Sequence, residues 1–200
     1  MAVPLVWLDL EMTGLDPERH VILEIASLLT DGDLRTLEAG PHRVIHHTED
    51  VLSRMDSWSA EQHGGSGLLE KVRRSAWTCE AAEAETLAFL TRHCAAGVAP
   101  LCGNSVWQDR RFLIRHMPRL AEFFHYRNID VSSVKELVRR WYPEIPPFRK
   151  EKLHLALSDI EESIRELAYY RRSVFKPPED PQALVDRCEG LPGSSGEVVS

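Results

Sequence analysis

The sequence predicts an α/β domain built on one mixed sheet, and three observations carry that prediction. The first third alternates short apolar runs rich in strand formers with turn residues, the pattern of an antiparallel meander. The rest alternates helical periodicity with two very short apolar runs, so the sheet gains its further strands through helical crossovers. Finally, 200 residues with no internal repeat suffice for one good core but not for a second large domain.

Each element has its own local reason. Pro4 to Asp9 is a short apolar strand closed by the turn-like Thr13-Gly14-Leu15-Asp16-Pro17. Val21 to Thr30 reads as a second strand, buried in part on both faces, ending at Asp31-Gly32-Asp33. That triplet is a hairpin turn into Leu34 to Ala39, and Arg43 to His46 either continues that strand or pairs with it. Residues 59 to 73 are helical in pieces, interrupted by Gly64-Gly65-Ser66-Gly67. Thr78 is the N-cap of a helix reaching about Cys94, with Leu87, Leu90 and Cys94 on one face. Pro100 to Gly103 is a short buried strand, and Gln108 to Met117 a helix stopped by Pro118. A further helical turn covers Leu120 to Phe124, and Asn128 to Asp130 is another short strand. Ser133-Val134-Lys135-Glu136 is a capping box, followed by a stripe of Val134, Leu137, Val138 and Trp141. The last helix ends near Phe175 and carries Leu157, Ile160, Ile164 and Leu167 toward the core. Beyond it, Pro177-Pro178, Pro181 and the Gly/Ser/Pro stretch from Gly190 cannot bury enough surface to offset ordering entropy. The expectation is a folded domain over 1–176 and a disordered tail over 177–200.

Composition narrows the function classes. The chain is 43% hydrophobic and 28% charged, and no apolar run approaches the roughly 20 residues of a membrane-spanning helix. The start, Val3-Pro4-Leu5-Val6-Trp7-Leu8, has neither the layout of a secretory signal nor that of a transit segment, so a cytoplasmic address is expected. The four cysteines fall at no zinc or redox spacing and read as free thiols. A net charge of −7 argues against tracking long duplexes by neutralising many phosphates. It still allows chemistry on short strands, because bound divalent ions bring their own positive charge and few phosphates need partners.

Five polar residues carry the chemistry. Asp9 ends an apolar strand, where a charge is costly unless neutralised, and Glu11 lies on the same side if the backbone stays extended. Two converging carboxylates suit a hard divalent cation, although an isolated Asp-x-Glu is more often a solvated strand end. Asp109 follows Gly103-Asn104-Ser105-Val106-Trp107-Gln108 at the start of a helix, where alone it would simply complement the helix dipole. Asp159 lies at the front of the last helix, five residues after His154. On one continuous helix these two would be about 140° apart, so the histidine belongs on the loop leading into it.

Taken together, Asp9-Leu10-Glu11-Met12-Thr13-Gly14-Leu15, Gly103-Asn104-Ser105 with Asp109, and His154-x-x-x-x-Asp159 resemble the DEDDh exonuclease superfamily. Trp58, His63 before Ser66-Gly67-Leu68, His125-Tyr126-Arg127 and Asp130-Val131-Ser132 extend the resemblance to the oligoribonuclease family within it. The likeness runs from about Leu5 to Phe175. It implies a ribonuclease-H-like fold with a five-stranded mixed sheet, two divalent ions (Mg²⁺ or Mn²⁺), and a homodimer. It also implies 3′→5′ removal of mononucleotides from very short RNA, dinucleotides above all. By the same resemblance Asp9, Glu11, Asp109 and Asp159 bind metal and His154 is the general base. Leu15 wedges between terminal bases and Trp58 stacks on one. Ser105, Arg127 and Ser132 cap a 5′ phosphate, Tyr126 reaches the partner subunit's site, and His63 lies on the substrate side. Trp107 is bulky for its place near the metal acid, and the proline-rich, basic stretch Pro143 to Lys152 carries none of the motifs that make the resemblance. A trimming exonuclease of the same superfamily, acting on longer RNA or DNA ends, is the alternative, and Arg110-Arg111 and Arg139-Arg140 are the basic residues that would favour it. A non-catalytic RNA-binding relative would have no need to keep all five groups.

Overall fold

The structure, a computed structural model, describes residues 3–149 and 156–176. His154 and the 177–200 segment therefore lie outside the described residues. In chain order the elements are β1 (Leu5–Met12), β2 (Ile22–Thr30), β3 (Thr36–Val44), α1 (Glu49–Leu52), α2 (Ser57–Gly65), α3 (Leu68–Arg74) and α4 (Cys79–Thr91). They continue with β4 (Leu101–Gly103), α5 (Trp107–His116), α6 (Pro118–Phe123), β5 (Asn128–Asp130), α7 (Val131–Trp141) and α8 (Ala156–Val174). The strands form one five-stranded sheet in the order β3-β2-β1-β4-β5. The β1–β2 and β2–β3 pairs are antiparallel, and the β1–β4 and β4–β5 pairs parallel. The mixed sheet expected from the sequence is the sheet observed.

The period of two along β1 divides the core into two layers. Val6, Leu8 and Leu10 face α4, α5 and α6, where they meet Phe89, Leu90, Phe112, Leu113 and Leu120. Trp7 faces the other way, with Ala26 and Leu28 of β2, toward Val138 of α7 and Ile160, Ile164 and Tyr170 of α8. Asp9 and Glu11 extend the Trp7 row and so point to the α8 side. A smaller cluster of Leu23, Leu52, Leu68 and Val72 seats α1 and α3.

Of the two readings of Arg43 to His46, continuation of the strand is the one observed, as far as Val44, while the expected faces of α7 and α4 need correction. The chain runs on through Gly40-Pro41 as one strand, with an irregularity that sets three β3 steps, His42 to Ala39, against the two from Ala26 to Leu28. The edge position tolerates Pro41 because no neighbour needs its missing N–H. A Cβ on Gly40 would lie 2.6 Å from Phe89 Cε1, so α4 packs directly onto the bulge. Helix α7 begins earlier than the capping box suggests. Asp130 is its N-cap, accepting from Ser132 N, and Ser133 sits inside the first turn. Of the α7 stripe only Val138 is buried, while Leu137 and Trp141 are exposed, Trp141 by 66%. The sequence period found the apolar face of this helix, but not what covers it. The expected α4 face is shifted too: Ala82, Thr86, Phe89 and Leu90 are buried, and Leu87 and Cys94 pack at the margin.

Candidate active site

The acids converge where β1 outruns β4. Their parallel pairing couples Val6 with Leu101 and Trp7 with Cys102, and β4 ends at Gly103 while β1 continues to Met12. Beyond that point the Leu10 N–H has Asp109 for a partner: Oδ1 of this buried carboxylate, in the first turn of α5, accepts it at 3.0 Å. On the α8 face, one carboxylate oxygen from each of Asp9, Glu11 and Asp159 lies within 4.8 Å of the other two. Asp159 stands in the first turn of α8, as its place in the sequence suggests. Asp109 is not one of these three. It borders them through Asp9, whose carboxyl its negative charge helps to raise.

Gathering these acids is electrostatically costly. Burial, then the charges of Asp109, Glu11, Asp159 and Glu24, holds the Asp9 carboxyl well above the usual carboxylate range. Burial and the charges of Asp159, Glu24 and Asp109 push Glu11 up to about 8. Asp109 is likewise raised to about 8, chiefly by burial, against the lowering effect of the Leu10 N–H. Like charges crowded in a dry place favour whatever restores positive charge. A hard divalent cation, which prefers carboxylate oxygens, fits this donor set.

Around the acids, the loop after β1 is fixed by several contacts. Thr13 Oγ1 accepts from Val21 N at 3.0 Å, and Asp56 N donates to Thr13 O at 3.0 Å. Gly14 has no room for a side chain: a Cβ there would lie 2.3 Å from His20 Cε1 and 2.5 Å from Asp56 Oδ2. The same Asp56 caps α2, accepting from Ser59 N at 2.8 Å, and α2 carries Trp58. Gln108, next to Asp109, donates through Nε2 to Leu15 O. Leu15 and Trp58, at 66% and 60% exposed, thus stand out from a braced frame. His63 is turned inward. It is 2% exposed, its Nε2 donates to Met12 O at 2.9 Å, and its Nδ1 is 3.9 Å from Glu11 Oε2.

Ser105 and Ser132 are also brought together. Ser105 has a left-handed backbone, with φ 51°, and its N–H reaches both Asp130 Oδ1 and Ser132 Oγ at 3.0 Å. The two hydroxyl oxygens are 3.1 Å apart. Asn104 holds the pair from below, accepting from Ser132 Oγ at 3.1 Å and donating to Ser163 Oγ and Glu166 Oε2 of α8. A groove beside them is lined by Trp107, Asp130, Glu136 and Leu137. Arg127 does not join this group; its guanidinium stacks over Tyr126, with Cζ 5.1 Å from the ring centroid. Tyr126 is 73% exposed, on a segment fixed by Arg110, which donates to His125 O and Asn128 Oδ1. Arg110 is thus a brace for that segment rather than a solvated cation. A separate groove between α7 and α8, lined by Lys135, Tyr142, Phe148 and Tyr170, contains none of the predicted residues.

Three residues of this site escaped the sequence reading. Gln108 and Asn104 carry no charge and look unremarkable beside Asp109 and Ser105. Glu24 gave a readable signal, a single acid inside the apolar run Ile22 to Leu29.

Comparison with known proteins agrees with the geometry. A family model described as Exonuclease (RNase_T) matches residues 6–167. The oligoribonuclease of Shewanella loihica is 58% identical over 173 residues, covering 86% of this chain and 96% of that protein. The oligoribonuclease of Pseudomonas fluorescens is 54% identical over 173 residues, with coverage of 86% and 96%. Among solved structures, an exonuclease I from Methylocaldum szegediense superposes with a TM-score of 0.64 at 18% identity, covering 88% of this chain and 42% of that one. The zinc-bound E. coli ExoI–ssDNA complex gives a TM-score of 0.67 at 12% identity, covering 87% and 41%. This chain spans about two-fifths of the length of those exonuclease I chains, and the likeness shows the ribonuclease-H-like fold alone. With most of its length matched at more than half identity, the chain belongs to the RNase_T exonuclease family, among the members named oligoribonuclease.

Proposed function

We propose that this protein is a metal-dependent 3′→5′ exoribonuclease that degrades very short RNA, especially dinucleotides, to 5′-phosphomononucleotides. One observation carries the chemistry: Asp9, Glu11 and Asp159, from segments some 150 positions apart, place carboxylate oxygens within 4.8 Å of one another despite their repulsion. Asp9, Glu11, Asp109 and Asp159 would hold two divalent ions, Mg²⁺ or Mn²⁺, which when bound compensate charge on the phosphodiester transition state and acidify water. His154, by its place just before α8, is the proposed general base. An ordinary imidazole, with pKa near 6.5, can take the proton of attacking water at neutral pH.

The remaining roles are those the family resemblance implies, and exposure and position support them. Leu15 and Trp58 grip the two terminal bases, and stacking accepts any sequence. Ser105 and Ser132 bind a terminal 5′ phosphate, with Arg127 swinging from Tyr126 to supply the positive charge. That cap explains a preference for the shortest strands, since a longer strand has only a linked phosphate there. His63 supports the substrate side from beside Glu11. Exposed Leu137 and Trp141 on α7, together with Tyr126, support a homodimer in which Tyr126 reaches the partner's site. Arg139 and Arg140 both pair with Glu136 on the surface of α7. No helix among the described residues is long and apolar enough to cross a membrane, and a cytoplasmic location is proposed with the rest.

The test is mononucleotide release from a 5′-phosphorylated diribonucleotide with Mn²⁺, beside a twenty-nucleotide RNA. Rapid turnover of the dinucleotide, abolished by Asp109→Ala and slowed by orders of magnitude by His154→Ala, is expected. Faster turnover of the long strand would point to end-trimming instead, and full activity in His154→Ala would remove the base assignment.

A further inference from the structure

The mechanism leaves one fully buried charge in the sheet unused. All nine residues of β2 are buried, and eight of them are apolar or hydroxyl-bearing. The ninth is Glu24, at 0% exposure. Its β1 partner in the ladder is Glu11, so both side chains project to the same face, toward α8. Strands of this burial ordinarily carry no acid at such a place, and a second carboxylate beside Glu11 adds repulsion to a site already crowded with it.

Both oxygens of Glu24 have distant partners. Oε2 accepts from the backbone N–H of Ala156 at 3.2 Å, across 132 positions of sequence. Ala156 opens α8, so this bond satisfies one of the amides that a helix start leaves without an intrahelical acceptor. Oε1 lies 2.6 Å from His42 Nε2, and His42 reaches it from the edge strand β3. The carboxylate is therefore clamped between the outermost strand of the sheet and the first turn of α8. Asp159 is three residues beyond Ala156 on the same helix, and His154 is two residues before it. Whatever sets the position of the Ala156 amide therefore bears on that of Asp159.

We propose that Glu24 is a positioning residue of the active site: by tying the Ala156 amide to β2, it sets how closely Asp159 approaches Asp9 and Glu11. The negative charge contributes as well. As the ladder partner of Glu11 it sets a further carboxylate beside the cluster, and so it deepens the attraction of the cluster for a cation. His42 is the outer brace that keeps the carboxylate turned toward α8. This inference rests on the exonuclease reading for its activity measurements, while its metal-binding measurement stands apart from that reading.

The experiment compares wild type, Glu24→Ala, Glu24→Gln and His42→Ala. It measures Mn²⁺ affinity by calorimetry without RNA, kcat and KM on a 5′-phosphorylated diribonucleotide, and Tm. Loss of a residue that orients metal ligands costs about 10- to 100-fold in metal affinity or turnover. Glu24→Ala is expected to lose that much in both, with KM changed by less than about twofold, because the base-stacking residues are untouched. Glu24→Gln keeps an oxygen for the Ala156 amide. It is expected to recover most of kcat while still binding Mn²⁺ more weakly than wild type, since the charge is gone. His42→Ala is expected to lower kcat in the same direction but by less than Glu24→Ala does. A folded Glu24→Ala that has a lower Tm but wild-type kcat and Mn²⁺ affinity would make Glu24 a plain helix cap and overturn the proposal. Should Glu24→Ala fail to fold, wild-type kcat and wild-type Mn²⁺ affinity in a folded His42→Ala, which releases the outer side of the clamp, would overturn it equally. If wild type cleaves no short RNA, yet Glu24→Ala and Glu24→Gln both weaken Mn²⁺ binding, the positioning role stands and the exonuclease reading falls.

Discussion

Gly14 shows how much of the site depends on a single missing side chain. His20 and Asp56 occupy the space a Cβ there would need, and Asp56 is also the cap of the helix that presents Trp58. Gly14→Ala is expected to destabilise the fold by about 1–3 kcal/mol, the usual cost of overpacking. It should raise KM for a dinucleotide more than it lowers kcat, because Leu15 and Trp58 move while the acids stay. Thermal melts and steady-state kinetics check both, and an unchanged KM would show that the loop is not a binding frame. At this scale the sequence announced its charged residues clearly. Asp9 and Glu11 were readable because an acid ending an apolar strand needs a reason. His63 was harder to place, since nothing in its neighbourhood distinguishes an imidazole facing a strand of RNA from one that props a main-chain carbonyl.

Among the elements, α5 does the most with the fewest residues. Its first turn supplies Asp109 to the Leu10 amide, Gln108 to the Leu15 carbonyl and Arg110 to the segment carrying Tyr126. Gln108→Ala removes only the middle contact. The expected outcome is a several-fold rise in KM with kcat nearly unchanged, since one neutral hydrogen bond contributes about 1 kcal/mol. An equal fall in kcat would mean that the Leu15 loop helps align the scissile bond. Element boundaries followed the apolar period well for β2 and β5, while the break expected over Gly64 to Gly67 is confined to Ser66-Gly67, with Gly64 and Gly65 still in α2. The period misled for α7, whose Leu137 and Trp141 are apolar in sequence but open in the fold. Periodicity reports which face is apolar, and burial depends on what arrives to meet it. At Gly40-Pro41 the sequence left continuation and a separate partner strand both open, because a bulge on an edge strand lets turn-like residues sit inside a strand.

For the whole molecule, the crowded acids tie stability to pH. In the folded chain Glu11 and Asp109 titrate at about 8 and Asp9 well above its ordinary range, whereas unfolded they titrate near 4. The fold therefore binds these protons more tightly than the unfolded chain does. Their contribution to stability is greatest below about pH 4 and is lost as pH rises through about 8. Divalent cations compete with those protons, so binding releases protons and tightens with rising pH. The Tm gained from saturating Mn²⁺ should thus be larger near about pH 8.5 than near about pH 6, and scanning calorimetry at the two values tests it. A gain independent of pH would contradict the raised carboxyls. Assembly is testable in the same way. Trp141→Glu places a charge on the open face of α7 and should shift a dimer toward monomer in sedimentation, with activity falling in parallel. A dimer that survives this change would have to use another face.

The sheet's margins bear on how such assembly can proceed. One border is a strand of three residues, β5, and the other is kinked at Gly40-Pro41, where proline offers no amide. Neither presents the long, flat row of hydrogen-bonding groups on which a stray chain could template itself. Copies of this molecule are therefore steered away from edge-to-edge strand pairing and toward meeting through side chains.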